Sequence, residues 1–212
     1  MKIPIKRLNK KFSLPNTPKV QQGWDRVINR FNDMNISIES FIKLGEGCYG
    51  CVYAINDRQV VKLTKDSSEL HTMAIVMKYP HPSIVKVIDV FAVKFGRNVI
   101  NFIIEEKLDN ADYEWKLFAN LANEDTNWIT PYLVSTTRDN IIKYYKDNVY
   151  AAERLNEKFD WLDAIAHYFQ LHKIKFADIH FDNIMKKKDK HILIDLGCSR
   201  SPKQNVEYLN AY

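Results

Sequence analysis

The segment FADIHFDNIM, residues 176–185, places Asp178, His180, Asp182 and Asn183 within six positions, and an apolar run at 192–194 then ends in Asp195-Leu196-Gly197. Acidic and amide side chains at the ends of apolar strands are either turn formers or metal and catalytic groups. Asp178 and Asn183 stand five apart, and Asp195 lies twelve beyond Asn183 on the far strand of a short hairpin. That spacing brings the Asn183 amide oxygen near the Asp195 carboxylate, as a hard Mg2+ ion requires. It leaves Asp178 to accept a proton from an incoming hydroxyl.

A second constellation lies earlier. GEGCYG, carrying Gly45, Glu46, Gly47 and Gly50, fits G-x-G-x-x-G. A dinucleotide fingerprint follows a strand and opens a helix. Here the glycines lie between two strand-like segments, with Val52 soon after. This is the hairpin form, whose backbone N–H groups cover the phosphates of a nucleotide. Twelve residues past Gly50, Lys62 stands inside the apolar run QVVKLT. A lysine there must be paired or reach water; beside a phosphate-covering hairpin it is the natural partner of the α- and β-phosphates.

The elements that must position these groups follow from periodicity. Val20, Trp24, Val27, Ile28 and Phe31 recur at helical intervals and predict an amphipathic helix over 19–34. Residues 41–64 alternate around the glycines and around Asn56-Asp57-Arg58, which predicts three short strands in a meander. Leu70, Met73, Ala74 and Met77 mark a helix opening near Asp66, which Pro80 and Pro82 stop. Two more strands turn at Gly96. Beyond Leu108 the pattern becomes helical, with a helix in DYEWKLFANLA, another over 151–172, and a closing hairpin that carries Asn183 and Asp195. Strands with one helix, then mainly helices, imply an α+β fold with a sheet lobe and a helical lobe, and such a junction is a natural place for a ligand.

Composition sets the bounds. The chain has 212 residues, is 46% hydrophobic and 27% charged, and can build a full core. Its net charge of +5 suits an anionic ligand but is too weak and scattered to argue for nucleic acid. Cys48, Cys51 and Cys198 form no disulfide framework, and the single C-x-x-C lacks a second pair to complete a zinc site, so a reducing cytoplasm is expected. No apolar run approaches the ~18 residues of a membrane span, and the basic start MKIPIKRLNKKF, without a signal-peptide core, reads as a solvated arm.

From Leu44 to Gly197 the chain resembles the protein-kinase-like superfamily. The glycine hairpin, Lys62 in its strand, HPSIVKVIDVF after the first helix, D-x-x-x-x-N and D-L-G occur in that family's order. The resemblance implies a minimal two-lobed fold: an arm and helix at 1–35, an N-terminal antiparallel sheet lobe with one helix at 36–108, and a truncated, mainly helical C-lobe at 109–212. It also implies that Glu105 and Lys107 offer backbone groups to the adenine edge. Val52, Val60 and Met185 would sandwich its ring, with Ile104 as gatekeeper. His180, where protein kinases of eukaryotes carry Lys, is similar to small-molecule kinases and to the small early protein kinases of bacteriophages; it would stabilise charge on the transferring phosphoryl group. Two departures stand out. The usual H-R-D is Phe176-Ala177-Asp178, without the Arg that reads a phosphorylated activation loop. The carboxylate that should pair with Lys62 falls at Thr72 by the usual spacing, whereas Glu69 is the nearest candidate and fits equally the third position of a capping box opened by Asp66.

The leading expectation is an ATP- and Mg2+-dependent kinase acting on Ser or Thr of protein targets, host proteins if the chain is viral. It would be active in the cytoplasm without an activating phosphorylation. The alternatives are a small-molecule kinase of the aminoglycoside or choline type and a nucleotide-binding pseudokinase that works by binding a partner. Fifteen residues follow Gly197 and are expected to cover the lower lobe; residues 110–150 are candidates for target recognition.

Overall fold

A computed structural model of the chain describes residues 3–37, 41–47, 49–123, 138, 141–143, 155–176, 178–197 and 199–210. It is a mixed α+β structure that divides into two compact units. The first comprises Met1–Met77, Val87–Lys107 and Gln204–Tyr212, and the second comprises Lys78–Lys86 and Leu108–Lys203.

The first unit is built on a six-stranded sheet. Its strands are β1 (Ile42–Glu46), β2 (Gly50–Ala54), β3 (Gln59–Thr64), β4 (Val87–Phe95), β5 (Asn98–Glu106) and, from the far end of the chain, β9 (Glu207–Asn210). They lie in the order β1-β2-β3-β5-β4-β9. The pairs are antiparallel except β4 with β9, which is parallel. Alternation gives the sheet two faces. One carries Cys51, Tyr53, Val61, Leu63, Phe91, Val93, Phe102 and Ile104, packed with residues of two N-terminal helices.

Those helices are α1 (Ile5–Phe12) and α2 (Pro18–Asp33). Thr17 caps α2 by accepting from the Val20 N–H, and Pro18 occupies its first turn, where a missing N–H costs nothing. Val20, Trp24, Val27 and Phe31 are buried, as their spacing predicts. The Trp24 ring lies 5.2 Å from Phe95 and 6.0 Å, edge-on, from Phe102. The basic start is not a solvated arm. Its described part is helix α1, which buries Leu8 and Phe12 in the same core and sends the Asn9 side-chain oxygen to accept from Trp24 Nε1 at 2.8 Å. Ile5, Leu8 and Phe12 form one apolar stripe, and the lysines sit on the remaining face.

A second correction concerns the C-terminal tail. The sequence reading puts it over the lower, helical lobe, yet Glu207–Asn210 pairs with Phe91, Ala92, Val93 and Lys94 of β4. The physical reason is the open edge of β4, whose N–H and C=O groups need partners. Arg30 of α2 fixes the arrangement: its guanidinium grips Asp89 at 2.9 and 3.2 Å and reaches Glu207 at 3.2 Å.

The helix α3 (Ser67–Lys78) follows β3. The second unit contains α4 (Tyr113–Asn123), α5 (Leu155–Leu171) and a three-stranded sheet, β6 (Asp109–Asn110), β7 (Ile184–Lys187) and β8 (Lys190–Leu193), in the order β6-β7-β8. Its core holds Trp115, Phe118, Phe159, Trp161, Ile165 and Phe169. Trp161 Nε1 donates to the His191 carbonyl at 2.8 Å, which ties α5 to β8. Residues 124–137, 139–140 and 144–154, most of the expected recognition region, lie outside the described residues. Among the described residues no helix is long and apolar enough to cross a membrane.

If α1 is part of the core, Phe12→Ala should lower unfolding free energy by ~3–5 kcal/mol in urea titrations, while Lys10→Ala stays within ~0.5 kcal/mol of the parent. Two near-neutral substitutions would restore the solvated-arm reading.

Candidate functional site

In the first unit the glycine hairpin joins β1 to β2. Gly45 stands opposite Val52 and Glu46 opposite Cys51, and the Gly47 N–H closes the turn on the Gly50 carbonyl at 3.0 Å. The three glycines have different reasons to be there. A Cβ on Gly50 would lie 2.4 Å from the Leu63 carbonyl oxygen, so β2 and β3 approach too closely for any side chain. A Cβ on Gly45 or Gly47 would meet nothing within 4 Å, and these two leave bare backbone facing open space. Cys48, at the tip, lies outside the described residues; Cys51 is buried, and burial pushes its thiol pKa up.

Lys62 sits on the sheet face turned away from α1 and α2, opposite Val52 on one side and Ile103 on the other. It is 8% exposed. A buried ammonium needs a counter-charge, and Glu69 of α3 provides it, with Oε1 at 2.5 Å from Nζ. Glu69 is itself buried. The helix start is capped by Asp66, whose Oδ1 accepts from the Ser68 N–H at 2.8 Å and whose carbonyl accepts from Asn101 Nδ2 at 3.0 Å. Of the two roles open to Glu69, the structure shows the ion pair with Lys62; Thr72, one turn on, is buried without supplying a carboxylate.

Val52 and Val60 share the face of Lys62. Ile104 does not. It stands opposite Val61 and belongs to the core beneath α1 and α2, so it cannot act as gatekeeper over that face. Ile103, buried and opposite Lys62, is the isoleucine that shares that face. A one-residue slip along a strand exchanges its faces, and two adjacent isoleucines hid it. Glu105 stands opposite Val60 and is buried. Lys107 is a further correction: its N–H donates to the Arg58 carbonyl at 2.8 Å and is not open to an adenine edge.

In the second unit the acidic segment is anchored on both sides. Phe176, Ile179 and Leu196 are buried, and Lys175 and Arg200 exchange backbone hydrogen bonds at 2.7 and 2.8 Å. Between these anchors Asp178 and His180 remain partly exposed. His180 Nδ1 accepts from the Asp182 N–H at 3.2 Å at the start of a 3-10 turn. The neutral ring therefore carries its proton on Nε2, which lies 3.7 Å from Asp178 Oδ1. Ala177 lies outside the described residues.

Asn183 is 3% exposed, and its Nδ2 donates to the Asp178 carbonyl at 2.8 Å, which sets the amide orientation and leaves Oδ1 as its acceptor. Its own carbonyl accepts from the Ile194 N–H at 2.8 Å, so Asp195 follows directly on the residue that Asn183 holds. Asp195 adopts a left-handed backbone, φ 52°, and its Oδ1 accepts from the Gly197 N–H at 3.1 Å, a turn that Asp tolerates through its short polar side chain. Met185 lies in β7 opposite Ile192, half-buried. The donors at Asn183 and Asp195 are all oxygen, the set a hard divalent ion takes. Among the described residues no group of three or more His, Cys, Asp or Glu could hold a metal ion. A Mg2+ ion on these two residues would complete its six oxygens with waters or phosphate oxygens.

No protein-family model matches the chain, and no curated protein matches it. Among solved structures, the PK-1 kinase of Cydia pomonella granulovirus is similar at a TM-score of 0.43 and 18% identity, over 86% of this chain and 63% of that one. The chain thus spans less than two thirds of that kinase's length.

Removing one member of a buried ion pair leaves the other charge stranded. Glu69→Ala should therefore cost ~3–5 kcal/mol in chemical unfolding, and the joint change Lys62→Met with Glu69→Leu should recover most of it. A single substitution that stays within ~0.5 kcal/mol of the parent would show that the pair is not a buried one.

Proposed function

We propose that the protein is an ATP- and Mg2+-dependent kinase that transfers the γ-phosphoryl group to Ser or Thr of polypeptides. The observation that carries this reading is the locking of Asn183, whose amide binds the carbonyl of Asp178 while its carbonyl holds the strand that delivers Asp195. One short stretch thereby carries a carboxylate suited to an incoming hydroxyl and two oxygen donors suited to a metal. The buried Lys62–Glu69 pair and the bare backbone of Gly45 and Gly47 support it from the first unit.

Phosphoryl transfer asks little covalent chemistry of a protein and much positioning and charge neutralisation. Lys62, oriented by Glu69, presents a cation to the α- and β-phosphates. Val52, Val60 and Ile103 give the same sheet face an apolar surface suited to a base. Asp178 orients the acceptor hydroxyl and takes its proton. His180, with its Nε2 proton near Asp178, adds a donor for charge on the transferring group. Asn183 and Asp195 would hold Mg2+, which when bound supplies neutralisation of phosphate charge. Lys62, Asp178, Asn183 and Asp195 are all present, which favours an enzyme over a nucleotide-binding decoy.

Asp178→Asn should leave ATP binding nearly intact and lower turnover by at least ~10²-fold, the scale of a positioned base. Asp195→Asn should abolish the Mg2+-dependent part of the ATP-induced thermal shift. Turnover within a few-fold of the parent in the first variant, or an unchanged Mg2+-dependent shift in the second, would remove that residue from its role.

A further inference from the structure

The glycine hairpin stands on an edge strand, with Ile42 and Leu44 60% and 53% exposed, and bare glycine backbone has more freedom to lose than any other. Its one carboxylate, Glu46, stands opposite Cys51, on the face that packs toward the N-terminal helices and away from Lys62. There both carboxylate oxygens are occupied: Lys11 of α1 takes Oε1 and Lys43 of β1 takes Oε2. Lys11 Nζ also reaches the Gly47 carbonyl at 3.5 Å. Lys11 can serve as an anchor because α1 is itself immobilised, by Leu8 and Phe12 in the core and by the Asn9 hydrogen bonds to Trp24 and Asn16 at 2.8 and 2.9 Å.

We propose that Lys11 is a positioning residue for the glycine hairpin: it draws the Glu46 carboxylate to the helix side and so keeps a negative charge away from the backbone that Gly45 and Gly47 leave bare. The inference rests on the reading that this backbone covers nucleotide phosphates. A carboxylate free to swing over that backbone would repel a triphosphate. The two lysines lower the Glu46 pKa to about 2, so the carboxylate they hold stays anionic across the working pH range. Helix α1 then does more than fill the core. It sets the resting position of a loop 35 residues away in sequence.

Two measurements on the intact chain test this. Hydrogen exchange without nucleotide should show faster exchange of the hairpin amides around Glu46 and Gly47 in Lys11→Ala than in the parent, with the thermal midpoint unchanged. In ATP kinetics Lys11→Ala should raise KM for ATP about threefold or more, with kcat within about twofold, and added salt should narrow the difference. Lys11→Arg should behave as the parent. Adding Glu46→Gln to Lys11→Ala should bring KM back down, because the carboxylate that Lys43 alone would leave untethered from α1 is gone. Unchanged exchange in Lys11→Ala, or a raised KM that Glu46→Gln fails to relieve, overturns the proposal. A parent that binds no ATP would instead refute the nucleotide reading, and the exchange measurement would still decide whether Lys11 tethers the hairpin.

Discussion

The first unit is organised around the ion pair of Lys62 and Glu69. An ammonium in the middle of an apolar sheet is unfavourable unless a counter-charge meets it at short range. That requirement sets the register of β3 against β2 and β5, since only one face can hold Lys62 while the other carries Val61 and Leu63 into the core. It also sets where α3 begins, because Glu69 must emerge one turn after the Asp66 cap to reach Nζ. A buried pair of this kind adds little to stability relative to apolar residues of the same volume. A fixed, dehydrated cation is what the proposed nucleotide reading asks of Lys62.

The rest of the first unit makes that face rigid. The helices α1 and α2 cover the opposite face with Phe12, Trp24 and Phe31, and β9 returns from the end of the chain to close the edge of β4. Arg30 links helix, sheet and tail through Asp89 and Glu207. The second unit solves a separate problem. It holds the backbone of Asp178, Asn183 and Asp195 in place on a turn and a hairpin, while Phe176, Ile179 and Leu196 bury the apolar positions of the same stretch.

Much of this was legible in residue order. The meander around the glycines, the helices at Pro18–Asp33 and Ser67–Lys78, the strands turning at Gly96 and the final hairpin all follow from period and punctuation. What escaped was long-range or a matter of one residue. Nothing local to SRSPKQNVEYLN marks it as the sixth strand of a sheet begun 165 residues earlier, counting from Ile42 to Glu207. The basic charge of the first twelve residues outweighed a three-residue apolar stripe, so α1 was missed. Two adjacent isoleucines concealed which of them shares a face with Lys62. The choice between capping and pairing for Glu69 needed the distance itself, and Lys11 gives no sequence signal of a partner on the hairpin.

Where the phosphoryl group goes decides the proposed function most directly. Purified protein, supplied with radiolabelled ATP, Mg2+ and cell lysate, should label polypeptides on Ser or Thr, and Asp178→Asn should remove that label. Label confined to low-mass metabolites or aminoglycosides, or no transfer under conditions in which ATP demonstrably binds, would contradict it.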